Sequence, residues 1–97
     1  SLYPSEVPWT RHVGEVRVIT APRARGKGLG RLLLREIMAA ARAAGIEKLV
    51  AQMTVEQEAA RRLFERMGFR EEGRLRAHAR DQTGTPHDLV VMTATPA

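Results

Sequence analysis

The strongest constraint in the chain is a glycine-rich connection, Arg25-Gly26-Lys27-Gly28-Leu29-Gly30, with strand patterning before it and helix patterning after it. Between Val13 and Thr20, Val16 and Val18 alternate with Glu15, Arg17 and Ile19, a period-two run rich in β-branched residues that Pro22 ends. Beyond the glycines, Leu29, Leu32, Leu33, Ile37, Ala40, Ala41 and Ala44 recur at i, i+3, i+4 spacing. Arg31, Arg35 and Arg42 take the other faces, and Gly45 closes the segment. This predicts an amphipathic helix made of strong helix formers. A strand, a tight loop and a helix in this order commit the chain to a layered arrangement of helices on a sheet.

The remaining elements follow in turn. Lys48 to Met53 reads as a second strand. Thr54, with Glu56 and Glu58 downstream, reads as the start of a second helix, because acidic residues favour the N-terminal end. Ala60, Leu63, Phe64 and Met67 give it one apolar face, and Gly68 stops it. Phe69 opens a third strand running through Leu75 and Ala77 to Ala79. Residues 81–86 form a turn, and Asp88 to Thr93 is a closing strand. The order strand, helix, strand, helix, strand, strand places the first two strands in parallel through a right-handed crossover and the last two in an antiparallel hairpin. The expected class is α/β with a mixed sheet, as one domain over residues 1–97. Residues 1–12, with two prolines and no periodicity, serve as an extended lead-in to a core spanning 13–93.

Composition narrows the functional classes. With 97 residues the chain buries roughly 60–65% of its unfolded surface, which makes for marginal stability. Its only aromatics are Tyr3, Trp9, Phe64 and Phe69, so the core is expected to be aliphatic. The absence of cysteine removes a disulfide framework, a thiolate metal site and a cysteine nucleophile, and suits a reducing, cytoplasmic setting. No metal site is expected. No apolar run reaches the roughly 20 residues that span a bilayer, so no membrane partner is expected either. The +5 formal charge is spread along the chain, except that Arg23, Arg25, Lys27 and Arg31 crowd one loop. Cation density at one loop suits a small polyanion better than a nucleic acid, which is read by a charged face with stacking aromatics.

That loop has the makings of an anion cradle. The first turn of a helix leaves backbone N–H groups unpaired, and the helix dipole adds partial positive charge there. Gly26, Gly28 and Gly30 let the backbone approach a diphosphate without an intervening Cβ. A P-loop is excluded because Lys27 is followed by Gly28 and not by a hydroxyl residue. A dinucleotide fingerprint is excluded because the third glycine position falls on Arg31 or Leu33. A kinase glycine loop joins two strands, whereas this one opens a helix. What fits is Arg/Gln-x-x-Gly-x-Gly/Ala, met by Arg25, Gly28 and Gly30, although a ligand-free glycine-rich connection has the same appearance.

The run from Val18 to Leu34 closely resembles motif A of the GNAT superfamily of acyl-CoA-dependent N-acyltransferases. Downstream, Ala60-Arg-Arg-Leu-Phe-Glu-Arg-Met-Gly-Phe69 is similar to that family's motif B. The tail from Glu72 through Asp81, Gly84 and His87 to Met92 resembles its closing hairpin. The resemblance implies the family's fold and an N-acetyltransferase that moves an acetyl group from acetyl-CoA to a primary amine of a small molecule or peptide. By position it assigns Val18, Ile19 and Thr20 to the strand edge that pairs with the pantetheine arm. It assigns Arg25, Gly26, Lys27, Gly28, Leu29 and Gly30 to the pyrophosphate.

The same resemblance marks departures. The family's asparagine ahead of motif B falls at Gln57, and its tyrosine acid at Phe64, both on the cofactor side; the glutamate base of amino-terminal-acetylating members falls at Gln52. Glu15, on the strand leading into motif A, is the remaining candidate base, with His12 and His78 behind it. A non-catalytic CoA-binding domain of the same fold is the alternative. The family's strand, two helices and two strands ahead of motif A have only twelve residues here to stand for them. The expectation is a carboxy-terminal core lacking its amino-terminal half, or a short member that dimerises to complete the sheet.

Overall fold

The computed structural model describes residues 2–4, 8–17 and 29–96. Over these residues the chain runs β1 (Leu2–Pro4), a 3-10 turn (Pro8–Thr10), β2 (Val13–Arg17), α1 (Leu29–Ala43), β3 (Lys48–Thr54), α2 (Glu58–Arg66), β4 (Arg70–Arg80) and β5 (Pro86–Ala94). The strands form one mixed sheet in the order β1-β2-β3-β5-β4. β2 and β3 are parallel, with Val13 opposite Lys48 and Arg17 opposite Gln52. β5 lies antiparallel to β3 on one side and to β4 on the other. The α/β class, the parallel pair and the closing hairpin are as the sequence predicts.

Register decides which residues share a face. Ala51 stands opposite Val16 and Met92, Met53 opposite Val90, and Leu49 opposite Ala94. All of these but Ala94 join Leu34, Ala41, Ile46, Phe64 and Phe69 in one buried cluster, with Ala94, Ile37, Met38, Leu63 and Met67 packed on it. Both helices therefore cover the same face of the sheet. The other face carries Glu15, Val50, Gln52, Thr54, Val91 and Thr93, all half-buried. Glu72 there accepts hydrogen bonds from Lys48 Nζ (3.3 Å) and Thr93 Oγ1 (3.1 Å).

Both helices stop in the same way. At the end of α1, the Gly45 N–H donates to Arg42 O (3.2 Å) and the Ile46 N–H to Ala41 O (2.9 Å). At the end of α2, the Gly68 N–H donates to Glu65 O (3.1 Å) and the Phe69 N–H to Phe64 O (2.9 Å). This is the Schellman arrangement, which needs a left-handed residue after the last turn, and Gly45 (φ +77°) and Gly68 (φ +98°) supply it.

The structure corrects several expectations. Residues 2–4 form a strand that pairs with β2, with Tyr3 opposite Glu15, so among the described residues β2 is not the edge of the sheet. On α1 the core-facing stripe is Leu34, Ile37, Met38 and Ala41, while Ala40 and Ala44 are exposed, and Leu32 and Leu33 are 55% and 44% exposed. Three consecutive leucines allow two stripes to be drawn, and the one through Leu34 is the one that meets β3. α2 begins at Glu58 and not at Thr54, because pairing with Leu89 holds Thr54 in β3. The core is not purely aliphatic, since Phe64 and Phe69 are both buried in it. Val18–Thr20, the expected end of β2, lie outside the described residues.

Candidate functional site

β2 and β3 run in parallel, so their carboxyl ends reach the same edge of the sheet. In open α/β sheets that edge is where the helices following the strands present their N-termini, and where ligands gather. Here α1 starts at Leu29 and α2 at Glu58, each following a strand of this pair. The first turn of α1 carries no acidic residue to neutralise its dipole.

Of the sequence-predicted residues, Val18, Ile19, Thr20, Arg25, Gly26, Lys27 and Gly28 lie outside the described residues. Leu29 and Gly30 are the first two residues of α1. Gln57 precedes α2, and its side-chain carbonyl accepts hydrogen bonds from the backbone N–H (2.8 Å) and hydroxyl (3.3 Å) of Thr54. With that oxygen engaged, the end Gln57 can turn toward a ligand is its NH2 group, a donor. Phe64 is 6% exposed, with its ring against Phe69 in the core. Glu15 is half-buried on β2 between Tyr3 and Val50 in register, on the face away from the helices. Gln52, where the resemblance puts the glutamate base of amino-terminal-acetylating members, is on that same face, opposite Arg17 and Val91. His12 is exposed and its carbonyl accepts from the N–H groups of Glu47 (2.8 Å) and Lys48 (3.1 Å), which makes it a joint between β2 and β3. His78 is exposed on β4.

A constellation at the end of the β4–β5 hairpin escaped the sequence reading. His87 points Nε2 at Asp81 Oδ2 (2.8 Å) and Nδ1 at Glu56 Oε1 (3.1 Å). The other oxygen of Asp81 accepts from the Thr83 N–H (2.9 Å), the Thr83 hydroxyl (2.6 Å) and the Thr85 N–H (3.0 Å). The hydrogen bond from His87, then those of the two threonines, hold the Asp81 carboxyl far below the usual carboxylate range. Asp81, then Glu56, push the His87 imidazole above its ordinary value. Next to His87, Asp88 Oδ1 accepts from the N–H of Ala77 (2.8 Å), whose φ of +48° marks an irregularity in β4. The Asp81-x-Thr83 spacing signals the turn, but nothing local predicts that a histidine six residues on will fold back over it.

The family model described as Acetyltransferase (GNAT) family matches residues 2–69. Among solved structures, the chain is 32% identical to a ribosomal-protein-alanine N-acetyltransferase from Brucella melitensis. That alignment covers 97% of this chain and 58% of the other, with a TM-score of 0.84. A GNAT-family acetyltransferase from Streptococcus pneumoniae is 28% identical over 97% of this chain and 56% of its own, also with a TM-score of 0.84. The structure of yncA from Salmonella typhimurium with its cofactor acetyl-CoA is 28% identical over 96% of this chain and 53% of its own, with a TM-score of 0.82. The chain thus spans little more than half the length of these relatives. A match over most of its length, on a sheet whose parallel pair opens toward two helix N-termini, makes this chain a member of the GNAT acetyltransferase family.

Proposed function

We propose that the chain binds acetyl-CoA at the carboxyl edge of β2 and β3 and transfers the acetyl group to a primary amine of a small molecule or peptide, as a cytoplasmic enzyme. The observation that carries this reading is that α1 opens at Leu29, immediately after Arg25-Gly26-Lys27-Gly28 in sequence, and follows a strand of the parallel pair. A cation-rich, glycine-rich approach to an unneutralised helix N-terminus suits a diphosphate. A relative solved with acetyl-CoA, and relatives named for the acetylation of spermidine and of a ribosomal protein's alanine, support the donor and the acceptor class.

In the transfer, the neutral amine nitrogen attacks the thioester carbonyl. The C–N bond forms, the C–S bond breaks, the thiolate leaves with a proton, and the ammonium proton goes to a base or to water. The thioester is already activated, so the protein's task is to hold the two reactants in line and to polarise the carbonyl. Glu15 is the carboxylate on β2 that would take the amine proton. Phe64 has no hydroxyl to protonate the thiolate, which supports a second reading, a CoA-binding domain without turnover.

Calorimetry with acetyl-CoA at moderate salt tests the site, and saturable one-to-one binding is expected. Thiol release on adding a panel of primary amines then separates enzyme from binding domain. No saturable binding sinks both readings.

A further inference from the structure

We propose that His87 is a positioning residue: as an imidazolium it ties Glu56 to Asp81, and so holds residues 55–57, the loop that opens α2, at the sheet edge where β2 and β3 end. Both of its ring nitrogens face carboxylate oxygens, at 2.8 Å and 3.1 Å. A neutral imidazole has one N–H and can donate to one of them only; the imidazolium donates to both. The two carboxylates are not equivalent. Asp81 is fixed by three further hydrogen bonds within its own turn, whereas the Glu56 side chain is 64% exposed on a three-residue connection.

The geometry makes the pair His87–Asp88 a strap across the end of the hairpin. The backbone carbonyl of Asp88 accepts from the Val55 N–H (3.1 Å), one residue before Glu56. Its carboxylate turns the other way, onto Ala77 of β4. The charged groups that face the His87 ring are therefore Asp81 from the β4–β5 turn and Glu56 from the β3–α2 loop. When the ring loses a proton it keeps one donor for two acceptors. Asp81, closer and better anchored, retains it, and Glu56 is released. The loop so freed leads through Gln57 into the first turn of α2. If the acetyl-CoA reading above holds, its position sets the shape of the ligand edge.

The test compares amide hydrogen exchange at Val55 and Gln57 in the 97-residue protein, its H87A variant and its E56A variant, at about pH 6 and about pH 9.5. Acetyl-CoA is titrated calorimetrically into the same samples. At the lower pH, protection at Val55 is expected to fall roughly two- to tenfold in both variants, with acetyl-CoA binding roughly two- to fivefold weaker. At the higher pH the wild type converges on the variants. Equal protection in the wild type and both folded variants at about pH 6 overturns the proposal. So does lowered protection with acetyl-CoA affinity unchanged, because the loop then positions nothing. Lowered protection in both variants, beside a wild type that shows no saturable acetyl-CoA binding, upholds the tie and removes the ligand reading instead.

Discussion

Phe64 and Phe69 are joined twice across the end of α2: the backbone N–H of Phe69 donates to the carbonyl of Phe64 at 2.9 Å, and their rings meet edge to face with centroids 4.8 Å apart. One cap thus fixes the helix terminus and anchors the core. F69A is expected to cost about 3–5 kcal/mol, a large share of the stability of so small a domain. G68A meets no atom within 4 Å, so its expected cost of roughly 1–2 kcal/mol comes from backbone strain at φ +98° alone. Urea unfolding measures both.

The orientation of α1 gives a sharper contrast. Leu34 is 3% exposed, while Leu32 and Leu33 are more than two-fifths exposed. L34A is expected to lose about 2–5 kcal/mol, and L32A and L33A each under about 1 kcal/mol. Similar losses at all three positions would place a different stripe against β3.

These two helices show how much of the fold the sequence carries. Helical spacing and the terminal glycines located α1 and α2, because propensity and capping are local. The rotation of α1 about its axis was not legible, since Leu32-Leu33-Leu34 offers two apolar stripes and only the partner strand selects one. β1 was missed for the opposite reason: three residues ending on a proline carry no period, and they form a strand only by pairing with β2. At the site, the parallel edge and the start of α1 followed from strand–loop–helix order. The His87 bridge did not, because it joins the β4–β5 turn to a loop 31 residues away in sequence.

Asp81 and His87 give stability two opposite pH dependences. The Asp81 carboxyl is depressed in the folded state, so its contribution is present above its ordinary value of 3.8 and fades as pH falls through the folded value. The His87 imidazole is raised, so its contribution is complete below 6.5 and fades as pH climbs through the folded value. Against D81N, the wild type is expected to hold its largest advantage in melting temperature between those limits and to lose it toward both extremes. A constant offset across the range would show that the two side chains do not share a proton-dependent contact.

Ala77 sits at φ +48°, a conformation that L-residues other than Asn and Asp seldom adopt. A77G is expected to stabilise the chain by about 0.5–1 kcal/mol, provided the Asp88 hydrogen bond to its N–H is kept. D88A, which removes that acceptor, is expected to destabilise, and thermal melts of the two variants should move in opposite directions.

For the proposed diphosphate site, G28E is expected to abolish acetyl-CoA binding while leaving the circular dichroism of the protein unchanged. It sets a side chain and a negative charge where the cradle needs neither. Unchanged affinity in the folded variant would move the ligand elsewhere.

The irregular path of β4 has a consequence for behaviour at high concentration. A sheet border of eleven residues with straight pairing is a template on which another chain can grow. Here the border carries Arg70, Arg74, Arg76 and Arg80, and its register breaks at two points, between Glu71 and Gly73 and between Leu75 and Ala79. Among the described residues the strand at the other end of the order, β1, is only three residues long and ends on Pro4, which has no N–H to offer. Charge and bulges thus guard the β4 margin against fibrillar growth, so chains that meet along it will do so through side chains and not by extending its strand.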